Sequence, residues 1–249
     1  MKINSIERCL KVIDILSNHS KGLKLTEISR LLDLHPSSVH HMVSTLLPHD
    51  YLSQDPDTKK YSLGFRFLDI SRKILDNLDI RQIAHRHLEV LRQEVQEAVH
   101  LAMLRGDKVV YIDKLDTLSG LSLATYVGFA ADPHAAAGGK VLLAGLNDDA
   151  VKGIYKNKSL KAYGKNTITR LPALMAELAR IRKQGYAVDN EEYYEGVRCV
   201  AAPVRSGGEV VASISVTGSI FTMTRGRIEK ELAATVVRAA DSVSAEIKW

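Results

Sequence analysis

Residues 25–46 read LTEISRLLDLHPSSVHHMVSTL, two short amphipathic runs that are separated by a tight turn. We expect Thr26 to cap the first run, because a threonine hydroxyl accepts backbone N–H bonds at the start of a helix. Pro36 opens the second run, since its missing N–H costs nothing at a first helical position. The stretch therefore predicts a helix, a turn and a second helix.

The second predicted helix has two unlike faces. Its apolar residues recur at spacings of three, four and seven, which places them on one side. The residues predicted to face DNA from the other side are Ser37, Ser38, His40, His41, Ser44 and Thr45. Small polar and imidazole groups can enter a major groove and read base edges. The same composition is also typical of a solvated face, so the pattern by itself leaves both interpretations open.

The flanking segments extend this pattern. An amphipathic run with apolar residues at helical spacing precedes it, over 6–16, and two short β-prone segments follow, at 51–54 and 61–63. The turn between the two segments ends in Lys59 and Lys60, which can contact phosphate or the minor groove. This order predicts a winged helix-turn-helix domain over residues 1–64.

Composition limits the class of protein. The chain has 249 residues, 45% of them hydrophobic and 25% charged, which excludes a disordered tail, a collagen-like fibre or a coiled-coil rod. The net charge of +5 permits an anionic partner without demonstrating one. No run reaches the roughly 18 apolar residues that span a bilayer, and no signal-peptide core is present. Cys9 and Cys199 stand far apart, so we expect a reducing cytoplasm and no metal site.

The remaining chain predicts a linker helix over 65–78 and a second domain over 79–249. Strands are predicted at 99–104, 109–112, 121–127, 197–204 and 210–217, and helices at 80–97, 138–144, 171–183 and 225–249. Strands with flanking helices but without regular βαβ alternation predict an α+β domain.

Two features of this second domain could bind a ligand. Strand alternation places Ser213, Ser215 and Thr217 on one face of their strand, which indicates either a polar cavity or a face that meets water. Gly138 and its neighbour open a helix, where free backbone N–H groups and the helix dipole can bind a carboxylate.

An acidic cluster follows, formed by Asp189, Glu191, Glu192 and Glu195. Paired carboxylates can act in acid–base catalysis or bind a metal, although such clusters are more often solvated loops. Cys199 could be a nucleophile, yet no histidine and carboxylate partners lie near it in sequence, which favours a buried structural thiol. A small-molecule enzyme that uses Cys199, Asp189 and Glu192 on a carboxylic acid therefore stays open as an alternative.

Several motifs are spread along the chain: LTEISR at 25–30 with LHPSSVH at 34–40 and YSLG at 61–64, PHAAAGGK at 133–140, and GYAVDNEE at 185–192 with GVRCVAAPV at 196–204. In these motifs nearly the whole chain resembles the IclR (isocitrate lyase regulator) family of bacterial transcription regulators. Two departures stand out. His41 replaces an arginine that is common in the family's recognition helix, and three alanines precede Gly138, which leaves the size of the ligand open.

The resemblance implies a winged helix-turn-helix domain, a linker helix and an effector-binding domain of GAF/profilin-like fold. It also implies a dimer or dimer of dimers on double-stranded operator DNA, a small organic or aromatic acid as effector, and neither cofactor, catalytic duty nor membrane. The matching effector positions are Ala137, Gly138, Asp189, Cys199, Ser215 and Thr217. We therefore predict a cytoplasmic, ligand-responsive transcription regulator. A regulator whose pocket is degenerate and answers to a protein partner is a further alternative.

Overall fold

The computed structural model describes residues 4–117 and 125–247. The chain divides into two units, Met1–Asn77 and Leu78–Trp249. The N-terminal unit contains the helices α1 (Asn4–Ser17), α2 (Leu25–Leu32), α3 (Pro36–Leu46) and α4 (Arg66–Asp76), and the strands β1 (Leu52–Gln54) and β2 (Tyr61–Leu63). The two strands pair antiparallel as a short wing.

The turn between α2 and α3 has clear local causes. Asp33 ends α2 in the left-handed region, with φ of 53°, and its N–H bonds the carbonyls of the preceding turn. Pro36 is the first residue of α3, as predicted, and the side chain of His35 accepts the N–H of Ser37. Apolar residues of α1, α2, α3, β1 and β2 form one core, which includes Val12, Ile28, Val39, Val43 and Leu52. The predicted winged helix-turn-helix is confirmed.

The predicted cap of α2 is wrong. The helix begins at Leu25, so its N-cap is Lys24 rather than Thr26. The Lys24 N–H donates to the carboxylate of Glu27 at 2.7 Å, which satisfies the backbone at the helix start without a threonine hydroxyl.

The C-terminal unit is an α+β domain. Its strands are β3 (Ala98–Arg105), β4 (Lys108–Leu115), β5 (Ala130–Ala131), β6 (Ala187–Asn190), β7 (Val197–Ser206) and β8 (Glu209–Ser219). They form an antiparallel sheet in the order β5-β4-β3-β8-β7-β6. Its helices are α5 (Asp79–Val95), α6 (Ala137–Ala144), α7 (Asp148–Ile154), α8 (Leu171–Gln184), α9 (Arg225–Arg227) and α10 (Ala233–Glu246).

The two faces of this sheet have different roles. On one face, α5 and α10 cover the apolar side chains of the central strands, among them Val200, Ile214 and Val216. On the other face, α6 and α8 pack over Ala187 and Ala201. The predicted alternation of β8 is confirmed, because Ile214 and Val216 belong to the first core.

Several predicted bounds need correction. Of the predicted strand over 121–127, residues 121–124 lie outside the described residues, and 125–127 are not strand. The closing helix starts at Arg225, passes through a π-helical segment (Ile228–Leu232) and ends at Glu246. Helix α7 and the short strands β5 and β6 were not predicted. No helix within the described ranges is long and apolar enough to cross a membrane.

Candidate functional site

Three of the predicted effector residues lie side by side across three strands. Asp189 on β6 is the register partner of Cys199 on β7, and Cys199 is the register partner of Thr217 on β8. Since register partners on neighbouring strands share a face about 5 Å apart, the three side chains form a row. The hydroxyls of β8 are buried on this face, so the alternative that they meet water is wrong.

The row opens into a small cavity. Its volume is about 30 Å³, which is room for about one water molecule. Asp189, Cys199 and Thr217 line one part of its wall, together with His100. Aromatic side chains that complete the wall are Tyr111, Phe129, Tyr193 and Tyr194. A ligand larger than water therefore requires some of these rings to move.

The other predicted effector residues surround the cavity without lining it. Ala137 and Gly138 form the first turn of α6, next to the wall residue Ala136. A Cβ at Gly138 would stand 2.9 Å from the hydroxyl of Ser213, so this position requires glycine for close packing. Ser215 is buried on β8, two residues before Thr217, and lies opposite His100 on β3.

A tyrosine pair holds one wall of the cavity. The rings of Tyr163 and Tyr193 stack with centroids 4.4 Å apart and an interplanar angle of 15°. The Tyr163 hydroxyl donates to Asp132 at 2.6 Å, and Lys108 pairs with the same carboxylate. These contacts hold Tyr163 in place, and the stack holds Tyr193 against it.

The acidic cluster is divided between the interior and the surface. Asp189 and Glu192 are buried, whereas Glu195 is exposed, so the solvated-loop interpretation is wrong for the first two. Burial and the nearby Glu192 carboxylate raise the pKa of Asp189 to about 7. Burial also raises the pKa of Glu192, against the opposing influence of Lys140. The site thus holds a carboxyl that exchanges its proton near neutral pH.

Lys140 forms a buried ion pair below the cavity. Its ammonium group donates to Glu192 at 2.5 Å and to the carbonyl of Val188 at 2.7 Å, and only 1% of the residue is exposed. Burying a lysine side chain without such partners would be strongly unfavourable. The pair anchors the first turns of α6 to the end of β6.

Cys199 does not have the environment of a nucleophilic cysteine. Burial and the Asp189 carboxyl raise the pKa of Cys199 well above its ordinary value, whereas a catalytic cysteine requires a lowered one. One carboxylate oxygen of Glu192 pairs with Lys140, and the other is buried without a hydrogen-bond partner among the described residues. Across residues 4–117 and 125–247, no cluster of three histidine, cysteine or acidic side chains could hold a metal. The surroundings of Cys199 and Glu192 do not favour the catalytic roles that the enzyme alternative gave them.

His100 is a wall residue that sequence reasoning did not select. It lies in an apolar strand and is 1% exposed, with its ring edge against Tyr111 at a centroid distance of 5.0 Å. The only available signal was a histidine within the run VHLAML at 99–104. Nothing in that run indicates which strand face is polar.

The predicted DNA-reading residues lie on the outer side of α3. Ser37, His40, His41, Ser44 and Thr45 are exposed and Ser38 is half-buried, while Lys59 is exposed and Lys60 half-buried in the wing. The hydroxyls of Ser44 and Thr45 donate to carbonyls one turn earlier, at 2.6 and 2.8 Å. His41 and Thr45 also line an apolar groove against α1. The face is therefore polar, without a lysine or arginine on α3 itself.

Known protein families match both units of the chain. The IclR helix-turn-helix domain matches residues 5–56, and the C-terminal domain of the bacterial transcriptional regulator IclR matches residues 72–245. The chain belongs to the IclR family. It is therefore a transcriptional regulator with an N-terminal DNA-binding domain and a C-terminal effector-binding domain.

The chain is similar to individual relatives over most of their length. The chain is 35% identical over 216 residues to the HTH-type transcriptional regulator XynR of Escherichia coli, covering 86% of each chain. The crystal structure of the Thermotoga maritima IclR is 29% identical, with a TM-score of 0.80 over 98% of this chain and 99% of that one. An IclR homologue from Microbacterium hydrocarbonoxydans, solved with 4-hydroxybenzoate, shares the fold with a TM-score of 0.82 at 24% identity, over 97% and 98% of the two chains.

Proposed function

We propose that this IclR-family regulator binds a small organic acid at the cavity and thereby changes its affinity for operator DNA. The observation that carries the proposal is the enclosed row of Asp189, Cys199 and Thr217 beside the start of α6. Such a closed polar row under a helix start is suited to a small anion rather than to a protein segment.

The start of α6 supplies the seat for a carboxylate. No side chain caps this helix, so the backbone N–H groups of its first turn, at Ala137 and Gly138, lack an intrahelical acceptor. Beneath them, the Ser213 hydroxyl is buried and has no hydrogen-bond partner in the described structure. Ser215 and Thr217 continue the hydroxyl row. A protonated Asp189, level with Thr217 at the other end of these hydroxyls, supplies a donor to another part of the ligand.

The effector class follows from these groups. Hydrogen-bond donors and a protonatable carboxyl favour a monocarboxylate, and the aromatic wall favours a ligand with a flat or apolar part. The homologue solved with 4-hydroxybenzoate is consistent with an organic or aromatic acid.

DNA recognition is assigned to α3 and the wing. The polar face of α3 would enter the major groove of double-stranded operator DNA, with the residues Ser37, Ser38, His40, His41, Ser44 and Thr45. Because α3 has no lysine or arginine, phosphate contacts fall to other groups, of which we select Lys59 and Lys60. The regulator would act in the cytoplasm, where bacterial DNA is located.

A homodimer, or a dimer of dimers, is the expected assembly. Helix α4 has no buried residue, and its neighbourhood exposes Phe65, Leu68 and Ile74 by 82%, 66% and 59%. Exposed apolar residues of this size on one helical segment are typical of a protein contact. A second copy also matches partly palindromic operators, which pair with two-fold symmetric proteins. We propose residues 65–78 as the linker that connects the DNA-binding domain to the effector domain.

The test combines DNA and ligand binding. Fluorescence anisotropy on the DNA upstream of the protein's own gene, against a scrambled duplex and at two salt concentrations, measures selective binding. 4-Hydroxybenzoate and other organic acids are then added as probes. Replacing Ser215 and Thr217 by valine should abolish the response to acid and spare DNA binding. A double variant that responds normally would show that the effector site is elsewhere.

A further inference from the structure

His100 occupies a central place in the sheet. On β3 it lies between Lys114 of β4 and Ser215 of β8 in the strand register. Its side chain reaches the cavity from the opposite side of β8 to the row that contains Asp189. Because β7 and β8 separate the two residues and their register positions differ by two residues, their backbones are about 16 Å apart in the sheet. They therefore lie on different parts of the cavity wall.

One nitrogen of this ring has a hydrogen-bond partner, and the other has none among the described residues. Nε2 lies 2.9 Å from the hydroxyl of Thr125. Nδ1 is buried, and the described residues supply it with no hydrogen-bond partner. A buried polar atom without a partner is destabilising and rare in folded proteins. Since His100 lines the cavity, a ligand is a natural source of the missing bond.

The ring is neutral. Burial, and after it the Lys114 ammonium group, lower the pKa of His100 to about 3, while Asp116 has a weaker opposing effect. Lys114 is itself held by the carbonyl of Thr125 at 2.6 Å and by Asp116 at 2.8 Å. A neutral imidazole has one N–H donor and one acceptor nitrogen. It can therefore hydrogen-bond an uncharged polar group, such as a hydroxyl or a carbonyl, and the ring offers a carboxylate no ionic partner.

We propose that His100 is a specificity-determining residue of the effector site, whose Nδ1 hydrogen-bonds a hydroxyl or oxo substituent of the bound acid. This inference rests on the proposed carboxylate-binding function and adds a second polar contact to it. The carboxylate is bound by the groups around α6 and β8, and His100 distinguishes substituted acids from their unsubstituted counterparts.

The test uses two histidine replacements that separate the ring nitrogens. In His100→Asn the amide occupies the position of Nδ1, and in His100→Gln it reaches the position of Nε2. Full-length wild type and variants are titrated calorimetrically at pH 7 with matched acids, 4-hydroxybenzoate against benzoate and glycolate against acetate. In the wild type, the hydroxylated member of at least one pair should bind roughly tenfold more tightly. His100→Asn should keep this preference and His100→Gln should lose it.

A further variant keeps the test decisive if the histidine variants do not fold. Thr125→Val removes the partner of Nε2 and leaves Nδ1 untouched, so it should keep the wild-type preference. The melting temperature of each variant shows whether it is folded. If the histidine variants do not fold, the preference of Thr125→Val for hydroxylated acids is compared directly with that of the wild type. Thr125 also lines the cavity, so loss of preference in Thr125→Val would mean that the effect depends on the Thr125 hydroxyl or on Nε2 rather than on Nδ1, and it would overturn the assignment.

The remaining outcomes separate the two proposals. Equal preference in the wild type and both histidine variants would overturn the role of His100 while leaving carboxylate binding intact. Equal loss in both variants would mean that ring shape matters rather than Nδ1, which also overturns it. If the wild type binds none of the four acids, the proposed carboxylate function fails, and the inference about His100 fails with it.

Discussion

Replacement of Asp189 by asparagine should stabilise the protein at neutral and higher pH. The side chain is 3% exposed, and its Oδ1 accepts the N–H of Glu192 at 2.7 Å. An asparagine has nearly the same shape and can keep this hydrogen bond. What the variant removes is the cost of ionising a buried carboxyl beside the carboxylate of Glu192.

The magnitude follows from the pKa. Asp189 titrates at about 7 in the folded protein, against a reference value of 3.8. Between these values the folded state holds a proton that the unfolded state has released, so the free energy of unfolding falls as pH rises. At 1.36 kcal/mol per pH unit the full loss is up to about 4 kcal/mol, reached above pH 7. Below pH 4 the contribution of this group disappears.

Urea unfolding followed by far-UV circular dichroism, from pH 4.5 to 8.5, measures this difference. Asp189→Asn should resemble the wild type at pH 4.5 and exceed it by a few kcal/mol at pH 8. Glu195→Gln is the matched control, because Glu195 belongs to the same acidic cluster but is exposed. Parallel pH curves for the wild type and Asp189→Asn would refute the reasoning.

Three further predictions test other parts of the structure. Gly138→Ala should lower the free energy of unfolding by about 1–3 kcal/mol through a clash with the Ser213 hydroxyl. In thermal unfolding, the double variant Gly138→Ala with Ser213→Ala should regain stability relative to Gly138→Ala alone. Lys140→Met should lower the free energy of unfolding by about 3–5 kcal/mol because it leaves Glu192 buried without its partner. In urea unfolding, the added change Glu192→Gln should restore part of this stability. If it restores none, the result counts against the ion pair. Lys59→Ala should reduce the slope of log affinity against log salt by about 0.9 without altering the preference between operator and scrambled duplex; an unchanged slope in anisotropy titrations would remove Lys59 from the phosphate contacts.

Much of the N-terminal unit could be predicted because its information is local. Pro36 and the helical spacing around it define α3 within one continuous segment, and the wing turn follows directly. The cap of α2 was mispredicted because Lys24 is an unusual capping residue, and only the backbone geometry with Glu27 makes it one.

The effector site was harder to predict because its contacts are distant in sequence. Lys140 and Glu192 are 52 positions apart, so local composition could not distinguish the buried Glu192 from the exposed Glu195. The alternation of β8 did predict that Ser215 and Thr217 share a face, but burial depends on α6 packing above them. His100 was missed because its strand looks apolar, and its polarity matters only where β3 meets the cavity.

The stacked pair of Tyr163 and Tyr193 has a consequence for the timing of regulation. A cavity of about 30 Å³ admits a ligand larger than water only after some of its wall rings move, and Tyr193 is one of these rings, held by its stack with Tyr163. If this movement is slower than diffusional encounter, it sets the rate of ligand exchange. The regulator would then retain its bound state through brief drops in the concentration of the acid, and transcription would follow the sustained supply of the acid rather than its momentary level.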